Sequence, residues 1–290
     1  MHNAIASPYL TPFDGSYNFK DYSTRPASNL LKKKDNKKRL LKIAEEMSDL
    51  QRILYAQNQH SLLLIFQAMD AAGKDSTIRA VMENINPAGC QVYSFQAPSS
   101  EECSHDFLWR TATRLPQSGK IGIFNRSYYE EVLIVRVHQE YLKAQHLPNI
   151  EINQTFWNHR LESIADHEKH LARNGTVILK FWLNVSKDEQ KRRFLSRIDE
   201  PQKNWKFSKD DITEREYWDD YMNAYQEAIA ATSKPWAPWY AIPADDKPYM
   251  RMCVADIIVE SLRSLGLTYP RIGSKEAKEF SKMRKLLEKK

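Results

Sequence analysis

The residues best suited to chemistry lie in the segment AMDAAGKDST, at positions 68–77. The segment follows a short apolar run and precedes a sequence typical of a helix, which is the context that a phosphate-binding loop requires. Backbone N–H groups after Gly73, together with the ammonium group of Lys74, can surround a phosphate. The match to G-x-x-x-x-G-K-[ST] is imperfect, because Ala68 replaces the first glycine and Asp75 the hydroxyl residue. We predict a phosphate site here; the alternative is an ordinary strand-to-helix turn with a surface lysine.

Two carboxylates, Asp70 and Asp75, accompany this loop. Carboxylates beside a phosphate pocket repel the ligand unless a divalent cation lies between them. The loop therefore predicts Mg²⁺ held between carboxylate and phosphate oxygens, with Asp70 as a ligand. Asp75 has a second explanation, because an acidic residue in the first turn of a helix also complements the helix dipole.

A second polar segment, FNRSYYE at positions 124–130, ends another apolar run. In P-loop folds the strand beside the first one ends with a polar residue near the metal, and Asn125 takes that position. Arg126 can stabilise charge on a phosphoryl group in transfer. Glu130 can hold the metal or accept a hydrogen bond from the acceptor. The alternatives are a helix cap for Asn125 and an ordinary ion pair between Arg126 and Glu130.

A third segment, at 187–197, is rich in cations and reads KDEQKRRFLSR. A helix and loop of this kind resemble the lid of a kinase, which closes over phosphates, excludes water and supplies positive charge. We place the lid at about 187–215. Taken alone, such a charge run is more often a solvated helix face. The candidate phosphate contacts in the lid and elsewhere are Arg79, Arg110, Arg192, Arg193, Arg197 and Lys206.

Apolar runs alternate with helical patterns along the chain, which predicts a three-layer α/β fold around a mostly parallel sheet. Continuously apolar runs are typical of strands buried on both faces. The predicted strands cover 61–66, 90–95, 120–125, 176–183 and 239–242. The predicted helices cover 36–57, a segment from Lys74 onward, 100–115, 126–143, 152–173, 186–199, 209–232 and 248–265.

Composition limits the class of protein. The chain has 290 residues, of which 42% are hydrophobic, so wholesale disorder is excluded. Its three cysteines form no CxxC pair, which argues against a disulfide framework and a structural zinc site. No secretory signal or bilayer-spanning apolar run is evident. We therefore expect a cytoplasmic protein without a membrane partner.

The net charge of +6 is concentrated at the two ends of the chain. Residues 1–52 carry +4 and residues 271–290 carry +5, which leaves −3 for residues 53–270. We expect residues 1–35 to form an extended arm, residues 36–270 one α/β domain, and residues 271–290 a basic tail with a mobile or peripheral helix. The basic ends are candidates for lining the path of a long polyanion.

Four segments together resemble the family-2 polyphosphate kinases: DAAGKD at 70–75, FNRSYYE at 124–130, residues 190–197 with the following Trp205-Lys206, and APWYAIPADDK at 237–247. The resemblance runs from about residue 30 to residue 267, with the motifs in the family's order and spacing. It implies a P-loop kinase fold similar to thymidylate kinase, with a helical lid, over residues 36–270.

The resemblance also implies roles for individual residues. Asp70 and Glu130 are the expected metal ligands, for Mg²⁺ or alternatively Mn²⁺. Asn125 departs from the Asp that many members carry, which argues against direct metal ligation by Asn125. The expected catalytic residues are Asp70, Lys74, Asn125, Arg126, Arg193 and Arg197. The expected substrate and phosphate contacts are Ala72, Gly73, Asp75, Ser76, Arg79, Arg110, Glu130, Arg192 and Lys206.

The implied activity is reversible transfer of the terminal phosphate of inorganic polyphosphate to a nucleotide. Asp75, Asn125 and Glu130 together resemble the class III branch, whose members phosphorylate nucleoside mono- and diphosphates; members restricted to diphosphates usually carry Asn in place of Glu130. We expect ADP and AMP as acceptors, GDP and GMP as further ones, a homo-oligomer, and no nucleic-acid partner. Two alternatives stay open: an ATP-dependent nucleoside monophosphate kinase of thymidylate-kinase type, and a non-catalytic basic polyanion-binding protein.

Overall fold

A five-stranded parallel sheet organises the computed structural model, which describes residues 1–27, 33–148 and 151–288. The strand order is β2-β3-β1-β4-β5, so the strand that precedes the phosphate loop is central. The predicted parallel α/β sheet is confirmed. The strands are β1 (Ser61–Gln67), β2 (Cys90–Ser94), β3 (Ile121–Asn125), β4 (Thr176–Asn184) and β5 (Trp239–Pro243).

Helices flank this sheet. The longer ones form two packed groups, with α1 along α10 and α10 against α2, and with α6 against α9. All seven residues of β1 are buried, as the apolar run at 62–66 predicts for its centre. The α-helices are α1 (Lys33–Gln57), α2 (Lys74–Val81), α3 (Ser100–Cys103), α4 (Trp109–Ala112), α5 (Ile134–Val137), α6 (Gln154–Arg173), α7 (Lys187–Asp199), α8 (Asp210–Glu214), α9 (Trp218–Thr232), α10 (Lys247–Ser264) and α11 (Ser274–Glu288).

Three predicted helices are broken into shorter pieces. The helix predicted over 100–115 is wrong as one element, since only α3 and α4 form there. Asp106 accepts a hydrogen bond from the Leu108 N–H (2.9 Å), and such local side-chain bonds compete with a continuing helix. The helix predicted over 126–143 consists of α5 between two 3₁₀ helices, Tyr128–Val132 and Gln139–Gln145. The helix predicted over 209–232 is interrupted by the 3₁₀ turn Arg215–Tyr217.

The amino-terminal arm runs along β5 at the edge of the sheet. Leu10 forms an antiparallel bridge with Tyr240, and the Ala241 N–H donates to the Tyr9 carbonyl (2.8 Å). Further along, the Thr24 hydroxyl donates to Asp245 (3.0 Å). Helix α1 begins at residue 33 rather than 36, and residues 28–32 of the predicted arm lie outside the described residues.

The carboxyl-terminal tail contains helix α11, which has no buried residue. Residues 289–290 of the predicted tail lie outside the described residues. Among the helices of the described residues, none combines the length and the apolarity that crossing a bilayer requires.

Candidate active site

The loop between β1 and α2 is a tight turn around Gly73. Gly73 is the N-cap of α2 and has φ +109°, a left-handed conformation that favours glycine. Ala71 also has a positive φ, +60°, which costs about 1–2 kcal/mol for a residue with a Cβ. Strain of this kind persists where the surroundings fix it, and it clusters at ligand-binding sites. The first N–H groups of α2 therefore open onto the space in front of this loop.

Lys74 reaches across the loop from the first turn of α2. Its Nζ donates to the Ala68 carbonyl (2.7 Å). Burial lowers the pKa of Lys74, the Arg126 guanidinium lowers it further, and the carboxylates of Asp70 and Glu130 oppose this. A bound phosphate would stabilise the charged ammonium in the same way as these carboxylates do.

Arg126 joins the two predicted metal ligands. Its guanidinium donates to Asp70 Oδ1 (3.1 Å) and lies 3.9 Å from Glu130 Oε2. These carboxylates, Glu130 first, raise the pKa of Arg126 above its ordinary value. Arg126 itself has a left-handed backbone, φ +64°, so the turn after β3 is strained as well. The ion pair that the sequence offered as an alternative is therefore present, and it extends to Asp70.

Asn125 forms a hydrogen bond with Asp75 and does not cap a helix. Its amide donates to Asp75 Oδ1 (2.6 Å) and to the Ser94 hydroxyl (3.3 Å). The 3₁₀ helix that follows is capped by Ser127, so the capping role considered for Asn125 is wrong. The contact places the ends of β3 and β2 beside the first turn of α2.

Arg193 ties the lid to the phosphate loop. Its guanidinium donates to the carbonyls of Ala71 (3.1 Å), Ala72 (2.6 Å) and Ala244 (2.6 Å), and its Nε donates to Glu189 (2.7 Å). The side chain is only 7% exposed. The guanidinium of this predicted lid arginine therefore binds backbone carbonyls of the phosphate loop and of the segment after β5.

The other predicted cations differ in where they point. Arg197 pairs with Asp211 (2.9 Å) at the edge of the main cavity, which is the space in front of the phosphate loop. Arg192 pairs with Glu189 and is 69% exposed. Arg110 donates to the Gln96 carbonyl (2.6 Å) and lies over the Phe95 ring. Neither Arg192 nor Arg110 lines that cavity among the described residues.

A cavity of about 580 Å³ opens in front of the phosphate loop. Arg79 lines a neighbouring groove, and Glu130 lines a smaller cavity of about 40 Å³. Lys203, a lysine of the predicted lid, also lines the main cavity, as does Lys247, to which sequence reasoning assigned no role. Lys247 follows β5, and ligands of parallel sheets bind at the carboxyl ends of strands, a rule that points to it. The predicted residues that line the main cavity are Asp70, Ala72, Gly73, Lys74, Asp75, Ser76, Asn125, Arg126, Arg193, Arg197 and Lys206.

The carboxylates fit a magnesium ion that is shared with substrate. Within the described ranges, no three or more Asp, Glu, His or Cys side chains cluster as a complete metal cage. Mg²⁺ commonly uses one or two protein carboxylates and completes its shell with water and substrate phosphates. Asp70 has one oxygen on Arg126 and lines both the main cavity and the smaller one that Glu130 lines. This donor set suits an ion bound with phosphate.

Comparison with known proteins decides between the kinases that this geometry allows. Residues 30–266 match the family model described as polyphosphate kinase 2. The chain belongs to the polyphosphate kinase 2 family. This polyphosphate kinase 2 chain is 57% identical over 244 residues to an ADP-polyphosphate phosphotransferase of Rhodopseudomonas palustris, covering 84% of each chain. It is 45% identical over 225 residues to an AMP/ADP-polyphosphate phosphotransferase of Meiothermus ruber, covering 78% of this chain and 80% of the relative.

The fold also matches that of a polyphosphate kinase 2 of known structure. The crystal structure of polyphosphate kinase 2 from Arthrobacter aurescens TC1 superimposes with a TM-score of 0.85 and 37% identity, covering 93% of both chains. The polyphosphate kinase 2 chain is therefore a phosphotransferase with a P-loop kinase fold. The resemblance seen in its four sequence segments is confirmed.

Proposed function

We propose that this polyphosphate kinase 2 chain transfers the terminal phosphate of inorganic polyphosphate to ADP and AMP in a reversible reaction. The observation that carries this is the cavity in front of the loop, where Lys74, Arg126, Arg197 and Lys206 converge. Its cations are suited to binding a chain of phosphates. The relatives from Rhodopseudomonas palustris and Meiothermus ruber are named for ADP and for AMP and ADP, respectively, which supports these two acceptors. GDP and GMP are further proposed acceptors, since another relative is named GDP-polyphosphate phosphotransferase.

The proposed chemistry is a direct in-line displacement. An oxygen of the acceptor phosphate attacks the terminal phosphorus of polyphosphate, the bond from that phosphorus to its bridging oxygen breaks, and the donor leaves one phosphate shorter. No side-chain nucleophile is required, because positioning and charge neutralisation supply most of the catalysis. Lys74 and the N–H groups after Gly73 hold phosphate oxygens, while Arg126 and Arg197 offset charge on the transferring group.

Asp70, with Glu130, is the proposed holder of Mg²⁺, for which Mn²⁺ can substitute. The ion would neutralise phosphate charge and orient the phosphates for displacement. Arg126 contacts both carboxylates, so it would keep them in place before the ion and its phosphate arrive.

A product assay tests the proposed function. Purified protein, Mg²⁺, polyphosphate and either AMP or ADP are combined, and the nucleotides are separated by chromatography. We expect ADP and ATP from AMP, and ATP from ADP. Activity with ADP alone would remove AMP from the proposal.

A second donor distinguishes the proposal from the alternatives. With AMP as acceptor and polyphosphate and ATP in competition, strict dependence on ATP would indicate a nucleoside monophosphate kinase. Salt-sensitive polyphosphate binding without turnover would indicate a binding protein. The remaining proposals are a homo-oligomer, checked by light scattering, and a cytoplasmic location, checked by cell fractionation.

A further inference from the structure

A second groove continues from the main cavity along α2, between α2 and the end of β2, with Arg251 of α10 at its border. It has a volume of about 780 Å³ and shares Asp75, Ser76, Ser94 and Asn125 with the main cavity. The groove also reaches Arg79 on α2 and Arg251 on α10, neither of which borders the main cavity. A ligand held at the phosphate loop could therefore extend into it.

Three cations follow this route. Lys247 borders the main cavity, Arg251 lies one turn further along α10 and borders the groove, and Arg79 faces the groove from α2. The side chains of these three residues form no hydrogen bond or ion pair with any part of the chain that the structure describes, and the Arg251 Nε is buried without a partner. By contrast, Arg263 at the other end of α10 pairs with Glu46 and Glu260.

Arg251 lies close enough to Lys247 and to Arg79 for their positive charges to oppose one another. Burial together with the charges of Arg193 and Arg251 lowers the pKa of Lys247 to about 8. Burial and the charges of Arg79 and Arg193 likewise lower the pKa of Arg251. Lys247 and Arg251 are half-buried and Arg79 is exposed, and like charges that form no ion pair are unfavourable at such sites until an anion binds between them.

Two carboxylates also border the groove. Asp75 accepts a hydrogen bond from Asn125, which partly offsets its charge. Glu83 lies just beyond the end of α2, four residues after Arg79, and no ion pair joins it to a cation within the described residues. Glu83 therefore opposes an anion in this groove, and removing its charge is an informative perturbation.

We propose that this groove binds the phosphates of the polyphosphate donor that lie beyond those held at the phosphate loop, through Lys247, Arg251 and Arg79. The inference rests on the proposed function and assigns the groove to the donor. A nucleotide would bring its base here, and no aromatic side chain borders the groove among the described residues. A donor too short to leave the phosphate loop gains nothing from the groove, so the enzyme favours long chains.

Donors of different length test the proposal. Tripolyphosphate and long-chain polyphosphate are compared for the wild type, Arg251→Gln and Arg79→Gln, with Arg263→Gln as the control that removes the same charge from α10. KM is measured with ADP as acceptor, and the affinity of each donor is measured by calorimetry without acceptor. We expect Arg251→Gln to weaken long-chain binding by about tenfold or more, since hydrogen bonds to charged groups have this size. Its tripolyphosphate KM and its kcat stay unchanged.

We expect Glu83→Gln to have the opposite effect to Arg251→Gln: it tightens the binding of long-chain polyphosphate and leaves the affinity for tripolyphosphate unchanged. Equal losses for both donors in Arg251→Gln, an unchanged long-chain affinity, or the same loss in Arg263→Gln would overturn the proposal. Absence of turnover with every donor in the wild type would refute the proposed function instead. The calorimetric comparison would still decide whether the groove binds long chains.

Discussion

Replacing Arg193 by lysine separates two roles that the same residue could have. As a phosphate contact, Arg193 would lower the barrier to transfer; as observed, it donates to the carbonyls of Ala71, Ala72 and Ala244. Lysine keeps the charge but cannot span carbonyls on two separate segments, because its donors diverge from one atom. We therefore expect Arg193→Lys to affect stability as well as rate.

The size of the stability effect follows from these contacts. Hydrogen bonds to a charged group contribute about 1.5–3 kcal/mol each, and lysine recovers some of the lost ones. A net loss of about 3 kcal/mol is expected, which corresponds to a fall in Tm of about 6–12 °C for a chain of this size. The rate falls as well, because the backbone just before Lys74 is no longer held at the Ala71 and Ala72 carbonyls, and small misplacements of a catalytic group cost about a hundredfold.

The assay pairs thermal unfolding with steady-state kinetics, and Arg197→Lys is the matched control. Arg197→Lys keeps the charge that faces Asp211 and removes a bond to one carbonyl, that of Lys206, so we expect its Tm to fall by less than that of Arg193→Lys. An Arg193→Lys variant with the Tm of the wild type and a reduced kcat would refute this reasoning. Arg193 would then act on phosphate directly.

Four other perturbations have clear expected outcomes. Lys74→Ala lowers kcat for transfer from polyphosphate to ADP by about a hundredfold or more, as for other groups that stabilise developing charge, and retained transfer would contradict the assigned role. Glu130→Asn reduces activity with AMP relative to ADP, measured as the ratio of kcat/KM; an unchanged ratio would remove Glu130 from acceptor choice. The pKa of Lys247 is about 8, so its ammonium loses its proton as pH rises through that value and KM for polyphosphate rises; Lys247→Arg, which stays charged, abolishes this rise, and a rise that persists would exclude Lys247 as its cause. Deletion of residues 271–290 weakens affinity for long chains if the basic tail contacts them, and unchanged affinity would exclude that contact.

The phosphate loop could be predicted from sequence because its signals are local. An apolar strand, Gly73, Lys74 and a helix occur consecutively, and the parallel sheet then brings the end of β3 with Asn125 and Arg126 to the same edge. The partner of Asn125 was not predictable in this way. Its contact with Asp75 depends on how the ends of two neighbouring elements meet in space.

In the lid, residue type alone does not predict which arginine contacts the phosphate loop. Arg192 and Arg193 are adjacent in sequence, yet one is exposed beside Glu189 and the other is buried against the phosphate loop. Only the rotation of α7 about its axis decides which of the two meets the loop. Lys247 was missed for a related reason, since it is separated from Lys74 by most of the domain and becomes its neighbour only through the sheet order.

The amino-terminal arm has a consequence for the order in which the chain can assemble. The Tyr9 carbonyl and Leu10 find their partners on β5, and Thr24 finds its partner at Asp245, so these contacts join opposite ends of the sequence. Contacts of such high sequence separation form late, because the intervening loop must close first. During synthesis residues 9–24 would wait for residues 240–245 to emerge. Until then the edge of β5 would remain uncovered, which makes this edge the vulnerable point of a newly made or shortened chain.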